Sequence, residues 1–494
     1  MGYLSTWKGD PNSDNLETKE MKEIVINPIT RIEGHAKVTI FLNEDSSVRD
    51  AQFQVTDFRG FEKFSEGRPF YEMPNITSRA CGICPVSHLL ASAKACDEIV
   101  AVNVPRTAVL LRRLMHMGQM IQSHALNFFH LSAPDFLLGM DADPAIRNVF
   151  GLIEKQPELA RQGIRLRKFG QEIIENVAGK KIHSSEWIVP GGAKWPLTKE
   201  RADYLKSNLH EALATTLQTL TMFKGWFSSC TEEVATYGDF PSYYLGLVTA
   251  EGGLEMYDGN IRIVNNDGNI VADQLNPDKY YEYIGEAVEP YSYMKFPYYK
   301  PLGYPGGMYR VGPLARLNIS SHCGTPLADQ ELKEFKKLGK NGIVQSTFHY
   351  HYARLIETLF CIEKTKELLD DPEILSERVC RKVYVNNSEG IGVAEAPRGT
   401  LIHHYKVDPQ GMITQVNMII ATEHNNLAYN KAVTQVAKKY VVAERLEEGM
   451  LNRVESVIRA FDPCLSCATH MVGQMPLEIQ LLNSQGKLLD RKIR

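Results

Sequence analysis

Export signals, membrane spans and a disulfide framework are all absent from this sequence of 494 residues. The first stretch, MGYLSTWKGDPNSDNLETKEMKE, is polar and carries neither an apolar segment nor a twin-arginine pair, so it does not read as a secretory leader. No apolar run approaches the ~20 residues that a membrane-spanning helix needs. Cysteine is scarce. Nine in the whole chain are too few for a disulfide scaffold, and an odd number leaves at least one thiol unpaired. These absences predict a cytoplasmic protein in a reducing compartment, with no direct membrane span. Charge of one sign is missing as well: 55 basic and 59 acidic side chains give a net charge of −4, too balanced for the field that gathers nucleic acid, so no nucleic-acid partner is expected. Neither G-x-G-x-x-G after a strand nor G-x-x-x-x-G-K-[ST] occurs, which excludes a nucleotide-phosphate loop in this chain.

What is present is an ordinary globular mixture, 44% hydrophobic and 23% charged, long enough for roughly two to four domain-sized units. After a polar arm at 1–22, EIVINP, HAKVTIFL and VRDAQFQV alternate apolar and polar residues, predicting a small antiparallel sheet within a β-rich subdomain at 23–75. From Pro105 onward, PRTAVLLRRLMHMGQMIQSHALNFFHL repeats apolar residues at helical spacing, with Pro105 near the helix start. Further helices are expected at 154–178, 200–236, 347–369 and 426–460, while 286–318, crowded with Tyr, Pro and Gly, reads as an ordered irregular segment. There is no internal repeat and no low-complexity linker. The expected fold class is α+β: one body at 23–470, mainly helical over 76–470, with a C-terminal extension at 471–494.

The most informative residues are two Cys-x-x-Cys pairs at opposite ends of the chain, Cys81 and Cys84 in SRACGICPVSH, Cys464 and Cys467 in FDPCLSCATH. Two-residue spacing lets two thiolates converge on one ion from a tight turn, and four such sulfurs make a site for zinc, iron or another thiophilic metal. A structural zinc knot is the plain reading, although zinc ribbons place their pairs ~15 to 20 residues apart. A thioredoxin-like dithiol is another, but it needs one exposed pair at a helix start in a βαβ context. Arg79, His88, Asp462 and His470 surround the sulfur with charge and proton carriers.

RIEGH (31–35), RACGICPVSH (79–88), EAPRGT (395–400) and DPCLSCATH (462–470) resemble the signature motifs of the large, catalytic subunit of nickel-iron hydrogenases, a likeness that runs from about residue 23 over nearly the whole chain. FRGFEKFSEGRPF, FHLSAPDFLLGMD, KFPYYKPLGYPGGMYRVGPLARLN and APRGTLIHHYKVD are most similar to the soluble, bidirectional, NAD-reducing type. The related quinone-site subunit of respiratory complex I is similar in fold but lacks the cysteine pairs. The resemblance implies the hydrogenase large-subunit fold and reversible conversion of H2 to protons and electrons. It also implies nickel on all four cysteines, with iron shared through Cys84 and Cys467 and carrying carbon monoxide and cyanide, ligands no side chain supplies. Arg398 would hang over the metals, with Pro397 fixing its turn and Asp135 and Asp462 holding its fork; a structural salt bridge is the alternative. Thr422 would donate a hydrogen bond to cyanide, or else cap the following helix. Glu33 would shuttle the proton of Cys464, or be a surface carboxylate of a turn. His88 would hydrogen-bond a bridging sulfur. Glu62 and His470 would hold magnesium, or be satisfied buried polar residues. The other histidines, His403 and His404 among them, read as structural.

Beyond the four ligands only Cys96, Cys230, Cys323, Cys361 and Cys380 remain, without iron-sulfur spacing. Electrons must therefore leave through partners. The resemblance implies an iron-sulfur small subunit joined through a large obligate interface, then a diaphorase carrying FMN and iron-sulfur clusters that handles NAD or NADP. It also implies a maturation protease that cuts between His470 and Met471. In the tail, EIQLL and KLLD flank NSQG and read as a hairpin or edge strand. Two other functions stay open: an H2-sensing regulatory subunit using the same metals, against which the stretch after His470 argues, and a zinc-stabilised scaffold, which metal content separates.

Overall fold

In the computed structural model, which describes residues 23–469 and the strands Glu478–Leu482 and Leu488–Ile493, the period-two alternation forms a sheet. Glu23–Ile26, Ala36–Leu42 and Val48–Val55 pair antiparallel in chain order, with Val38 opposite Phe53. Val38, Ile40, Phe53 and Val55 are buried. Helix Asn426–Tyr440 covers the edge of this sheet: Asn430 Oδ1 accepts from Phe53 N at 2.8 Å and Thr434 Oγ1 from Ala51 N at 3.0 Å. Side chains thereby pair backbone groups that an edge strand would leave open, and the N-terminal sheet is tied to the C-terminal quarter of the chain. The arm at 1–22 and His470 lie outside the described residues, whereas the two tail strands pair antiparallel as a hairpin.

Helix Arg106–Ala125 begins behind Pro105, runs through a π-helical stretch, Leu126–Ser132, and resumes as Ala133–Leu137. It packs against Pro157–Ala178 and Tyr350–Asp370, and Lys199–Ser229 closes the group. The stretch expected at 154–178 is broken, with Val149–Lys155 preceding Pro157–Ala178. Pro157 crowds the residue before it and Gln156 leaves the helical region at φ −136°, ψ 58°. The stretch at 200–236 is Lys199–Ser229 followed by Thr231–Ala235. The one at 426–460 is also two helices, Asn426–Tyr440 and Glu448–Phe461. It breaks at the β-branched Val441–Val442, with Val441 extended.

Two larger sheets, of four and three strands, were not expected from the sequence, nor were two short two-stranded pairs. Tyr309–Arg310, Tyr243–Val248, Asn260–Val264 and Ile270–Leu275 form a mixed sheet in that order, with Tyr309–Arg310 parallel to its neighbour. The segment 286–318 thus holds strands, and helix Pro313–Ile319, inside its irregular frame. Glu389–Ala396, Gly399–Val407 and Ile413–Ile419 form an antiparallel meander. The first of these strands, EGIGVAEA, is buried on both faces after Glu389, so it shows no alternation to read. Helix Pro85–Ile99 lies directly on it. Contact this close requires glycine: a Cβ on Gly392 would sit 1.9 Å from the Ala91 carbonyl oxygen.

Gly392→Ala is therefore expected to push this helix off the sheet and cost about 2 kcal/mol, the range of core overpacking. A denaturation midpoint equal to that of the unaltered protein would show that the helix can step back freely.

Candidate metal centre

A helix end presents each cysteine pair. Cys84 is the N-cap of Pro85–Ile99, at the positive end of the helix dipole, which favours a thiolate. Cys81 sits in the turn before it, where its Sγ accepts from the N–H groups of Ile83 and Cys84 at 3.2 Å. The second pair follows Glu448–Phe461. That helix is closed by Asp462 in left-handed backbone, φ 64° and ψ 59°, a conformation Asp tolerates better than most residues. The chain then turns through Pro463 into Cys464.

The loop RIEGH docks onto this second pair. Glu33 bridges Cys464 in parallel register, its carbonyl accepts from Leu465 N at 3.1 Å, and its Oε2 accepts from Ser466 N at 3.0 Å. Gly34, at φ +84°, passes so near that a Cβ there would lie 2.6 Å from the Leu465 Cβ. Asp135 does not hold Arg398. It takes Arg459 Nε at 2.9 Å and pairs with Arg31 of the RIEGH loop, because Ala133–Leu137 faces the last turn of Glu448–Phe461 rather than the turn carrying Arg398.

The four sulfurs meet in a buried cluster. Cys81 and Cys464 are 3.1 Å apart, Cys84 and Cys467 3.5 Å, and Cys464 and Cys467 3.0 Å. Sulfurs bound at ~2.3 Å to one ion at right angles to each other lie ~3.3 Å apart, so the set fits a thiophilic metal. Its protonation fits too. Hydrogen bonds from Cys464, Cys467 and Cys81, joined by one from His88, hold Cys84 well below the usual thiol range. Burial pushes Cys464 and Cys467 well above it, so those thiols need a cation to release their protons.

Arg398 stands over the cluster on a hairpin whose strands are joined by only Pro397 and Arg398, Ala396 pairing with Gly399. Arg316 props this turn, donating to the carbonyls of Ala396 at 2.9 Å and Pro397 at 3.2 Å while Glu357 and Glu395 neutralise it. The guanidinium of Arg398 gives Nε to the Asp462 carbonyl at 2.5 Å, Nη2 to Asp462 Oδ1 at 3.0 Å and Nη1 to Ser123 Oγ at 3.4 Å. Burial works against its charge, but Asp462 and the thiols of Cys464, Cys84 and Cys81 outweigh it and raise its pKa well above the usual value. Thr422 makes no side-chain cap bond to the turn that follows. Its Oγ1 accepts from Cys464 N at 3.0 Å, and its own proton is left to donate elsewhere. Cys84, Cys467, His88, Arg398, Ala421 and Thr422 line a cavity of about 10 Å³ against the sulfurs.

Away from the cluster, Glu62 Oε1 accepts from Met418 N at 2.8 Å and faces Lys295 Nζ at 3.3 Å. Beside them the buried Glu423 has no hydrogen-bond partner for its Oε1 among the described residues, and burial raises its pKa well above the usual carboxylate range. The expected partner, His470, lies outside the described residues. Sequence reasoning missed His403: its Nε2 lies 3.1 Å from His88 Nδ1. The available signal was spacing, since His403 and Tyr405 fall on one face of their strand.

Asp135→Asn leaves Arg459 and Arg31 without their carboxylate and is expected to cost about 3 kcal/mol, as for a broken buried ion pair. A denaturation midpoint at the wild-type value would mean that Glu455 and Asn452, the other partners of Arg459, suffice to hold it.

Comparison with known proteins agrees with this geometry. The Nickel-dependent hydrogenase family matches residues 59–153 and 256–470, and a HoxL-like family matches 23–58. The chain is 43% identical over 490 residues to the NAD-reducing hydrogenase HoxS subunit beta of Cupriavidus necator, covering 96% of this chain and 100% of that one. It is 46% identical to a vhu F420-non-reducing hydrogenase subunit of Methanocaldococcus jannaschii, covering 85% of this chain and 99% of that one. A solved NAD+-reducing [NiFe]-hydrogenase in the H2-reduced state superposes with a TM-score of 0.88 at 46% identity, covering 91% of this chain and 99% of that one. Two loops from opposite ends of the sequence, each bringing two thiols to one buried point under an arginine, thus place the chain in the large-subunit family of the nickel-dependent hydrogenases.

Proposed function

We propose that this chain is the catalytic subunit of a nickel-iron hydrogenase that reversibly converts H2 into protons and electrons, the electrons passing through partner subunits to NAD or NADP. The observation that carries this reading is the buried cluster in which all four cysteine sulfurs lie within 4.8 Å of one another. All four would hold nickel, and Cys84 and Cys467 would share it with iron. Bound there, the two metals supply the redox centre at which H2 is split. The small cavity beside Cys84 and Cys467 suits diatomic ligands on the iron, with Arg398 and the Thr422 hydroxyl as hydrogen-bond donors into it.

The protein's own work is positional and protonic. Asp462 fixes the guanidinium of Arg398 through Nε and Nη2, holding its charge close enough to be felt by the sulfurs. Glu33, half-buried with Oε2 engaged by Ser466 N, stands next to the Cys464 backbone as the first carboxylate outward, where it takes up and returns the proton held at Cys464 Sγ. The Oε1 of Glu423, which has no hydrogen-bond partner among the described residues, lies beside Glu62 and suits a hard cation, which supports magnesium held by Glu62 and His470. The hetero-oligomeric partners are an iron-sulfur small subunit plus a diaphorase with FMN and iron-sulfur clusters. The NAD-reducing relatives support this choice over other electron acceptors. Among the described residues no helix is long and apolar enough to cross a membrane, and none of the nine cysteines is in a disulfide, which supports a cytoplasmic site of action. The family match stops at His470, in keeping with a protease that cuts after that residue.

Replacing any one of Cys81, Cys84, Cys464 or Cys467 by Ser is expected to abolish both nickel loading and H2-dependent reduction of NAD or NADP by the purified complex, since a hydroxyl is a poor substitute for a thiolate. Zinc as the sole metal in the unaltered protein would refute the hydrogenase reading.

Glu33→Gln keeps the hydrogen bond to Ser466 but cannot carry the proton, so turnover should fall by about two to four orders of magnitude, the usual worth of a positioned acid-base group, with nickel content unchanged. Loss of nickel together with activity would make Glu33 a structural residue.

A further inference from the structure

On helix Arg106–Ala125, Gln119 and Gln122 stand three residues apart, hence on one face, and both are buried. Their side chains converge on a single acceptor. Gln119 Nε2 donates to the Ile83 carbonyl at 2.9 Å, and Gln122 Nε2 donates to the same oxygen at 2.5 Å. Gln119 Oε1 meanwhile accepts from Val86 N at 3.4 Å, one of the N–H groups that the first turn of helix Pro85–Ile99 leaves without a helical partner. These neighbours fix which way the Gln119 amide faces: turned over, it would set an oxygen against a carbonyl and an NH2 against an N–H. Packing alone asks for no amide here, since burying one costs free energy unless its polar ends are paired.

Ile83 lies between Cys81 and Cys84, and its carbonyl belongs to the same peptide unit as the Cys84 N–H. That peptide is trans, so within its plane the C=O and the N–H point to opposite sides. Two donors on the two lone pairs of the oxygen hold the C=O toward the glutamines, and thereby hold the N–H away from them. On that far side the Cys84 N–H meets Cys81 Sγ at 3.2 Å. The direction of an N–H···S bond inside the metal pocket is thus set by side chains 36 and 39 positions further along the chain.

We propose that Gln119 and Gln122 are positioning residues of the metal centre, clamping the Ile83 carbonyl so that the Cys84 N–H stays aimed at the Cys81 sulfur. The proposal rests on the nickel-iron reading, in which Cys81 binds nickel alone. A hydrogen bond to a thiolate withdraws electron density from the sulfur, so the sulfur gives less to its metal and the more reduced state of the centre is favoured. Both glutamines act through the backbone of the loop rather than on a sulfur.

An infrared-monitored redox titration of the purified, metal-loaded complex tests this. The band of an iron-bound carbonyl follows the electron density at the centre, and so reports the potential at which the centre takes up an electron. Gln119→Met and Gln122→Met keep the length of the side chain and remove its donor. Each should move that potential to more negative values than in the wild type, and the double variant further than either, because one glutamine alone still holds the carbonyl from one side. A merely structural role would lower the fraction of complex that carries the centre and leave the potential of that fraction in place. A double variant at the wild-type potential, or moved to more positive values, overturns the assignment. Should the double variant carry no centre, Gln122→Met, which leaves the tie to Val86 intact, decides on the same terms. Nickel absent from all three variants would make the glutamines packing residues and overturn the assignment as well. No carbonyl band in the wild-type complex would refute the nickel-iron reading itself, and this proposal with it.

Discussion

Four thiols forced into one buried pocket are the constraint on which the rest of this structure depends. Their negative charge cannot be stabilised by solvent, so it must be met by fixed positive charge and oriented dipoles. The surroundings of the cluster answer that need. Cys84 sits on a helix N-terminus, backbone N–H groups point at Cys81, and Arg398 is held overhead by Asp462. Hydrogen bonds from the neighbouring thiols and His88 favour ionisation at Cys84, burial opposes it at Cys464 and Cys467, and the remaining demand is what makes the pocket a receptor for multiply charged metal ions.

Placing these groups takes a second layer of buried ions that never approach the sulfurs. Arg316, between Glu357 and Glu395, props the turn on which Arg398 rides. Asp135, between Arg31 and Arg459, joins the RIEGH loop to the helix that delivers the second cysteine pair. Buried ion pairs add little net stability compared with hydrophobic packing, yet each is costly to break. Here they suit geometry more than stability. A fork of hydrogen bonds fixes direction in a way that apolar contacts do not.

Much of this was legible in the sequence because it depends on short-range spacing. The two Cys-x-x-Cys pairs, the alternating first strands and the periodic helix behind Pro105 each carry their signal within a few residues. What escaped was set by tertiary contact. The meander holding EAPRGT is buried on both faces, so EGIGVAEA offers no alternation. Asp135 sits in a recognisable motif, but whether it reaches Arg398 or Arg459 depends on the angle at which Ala133–Leu137 leaves a π-helical stretch. His403 looked structural because its partner, His88, is 315 positions away. The helix breaks at Gln156 and Val441 had local causes, a following proline and a β-branched pair, that the apolar periodicity outweighed.

The seam between Glu33 and Ser466 joins residues 433 positions apart. Closing so long a loop costs chain entropy that only finished packing on both sides can repay. The seam therefore depends on the sheet carrying the RIEGH loop and the helix ending at Phe461 both being in place. The Cys464 turn is held from one side by this seam and from the other by Thr422 Oγ1, which accepts from Cys464 N. One wall of the metal pocket thus hangs on a contact between the two ends of the chain, so that a disturbance of the N-terminal sheet is felt at the second cysteine pair.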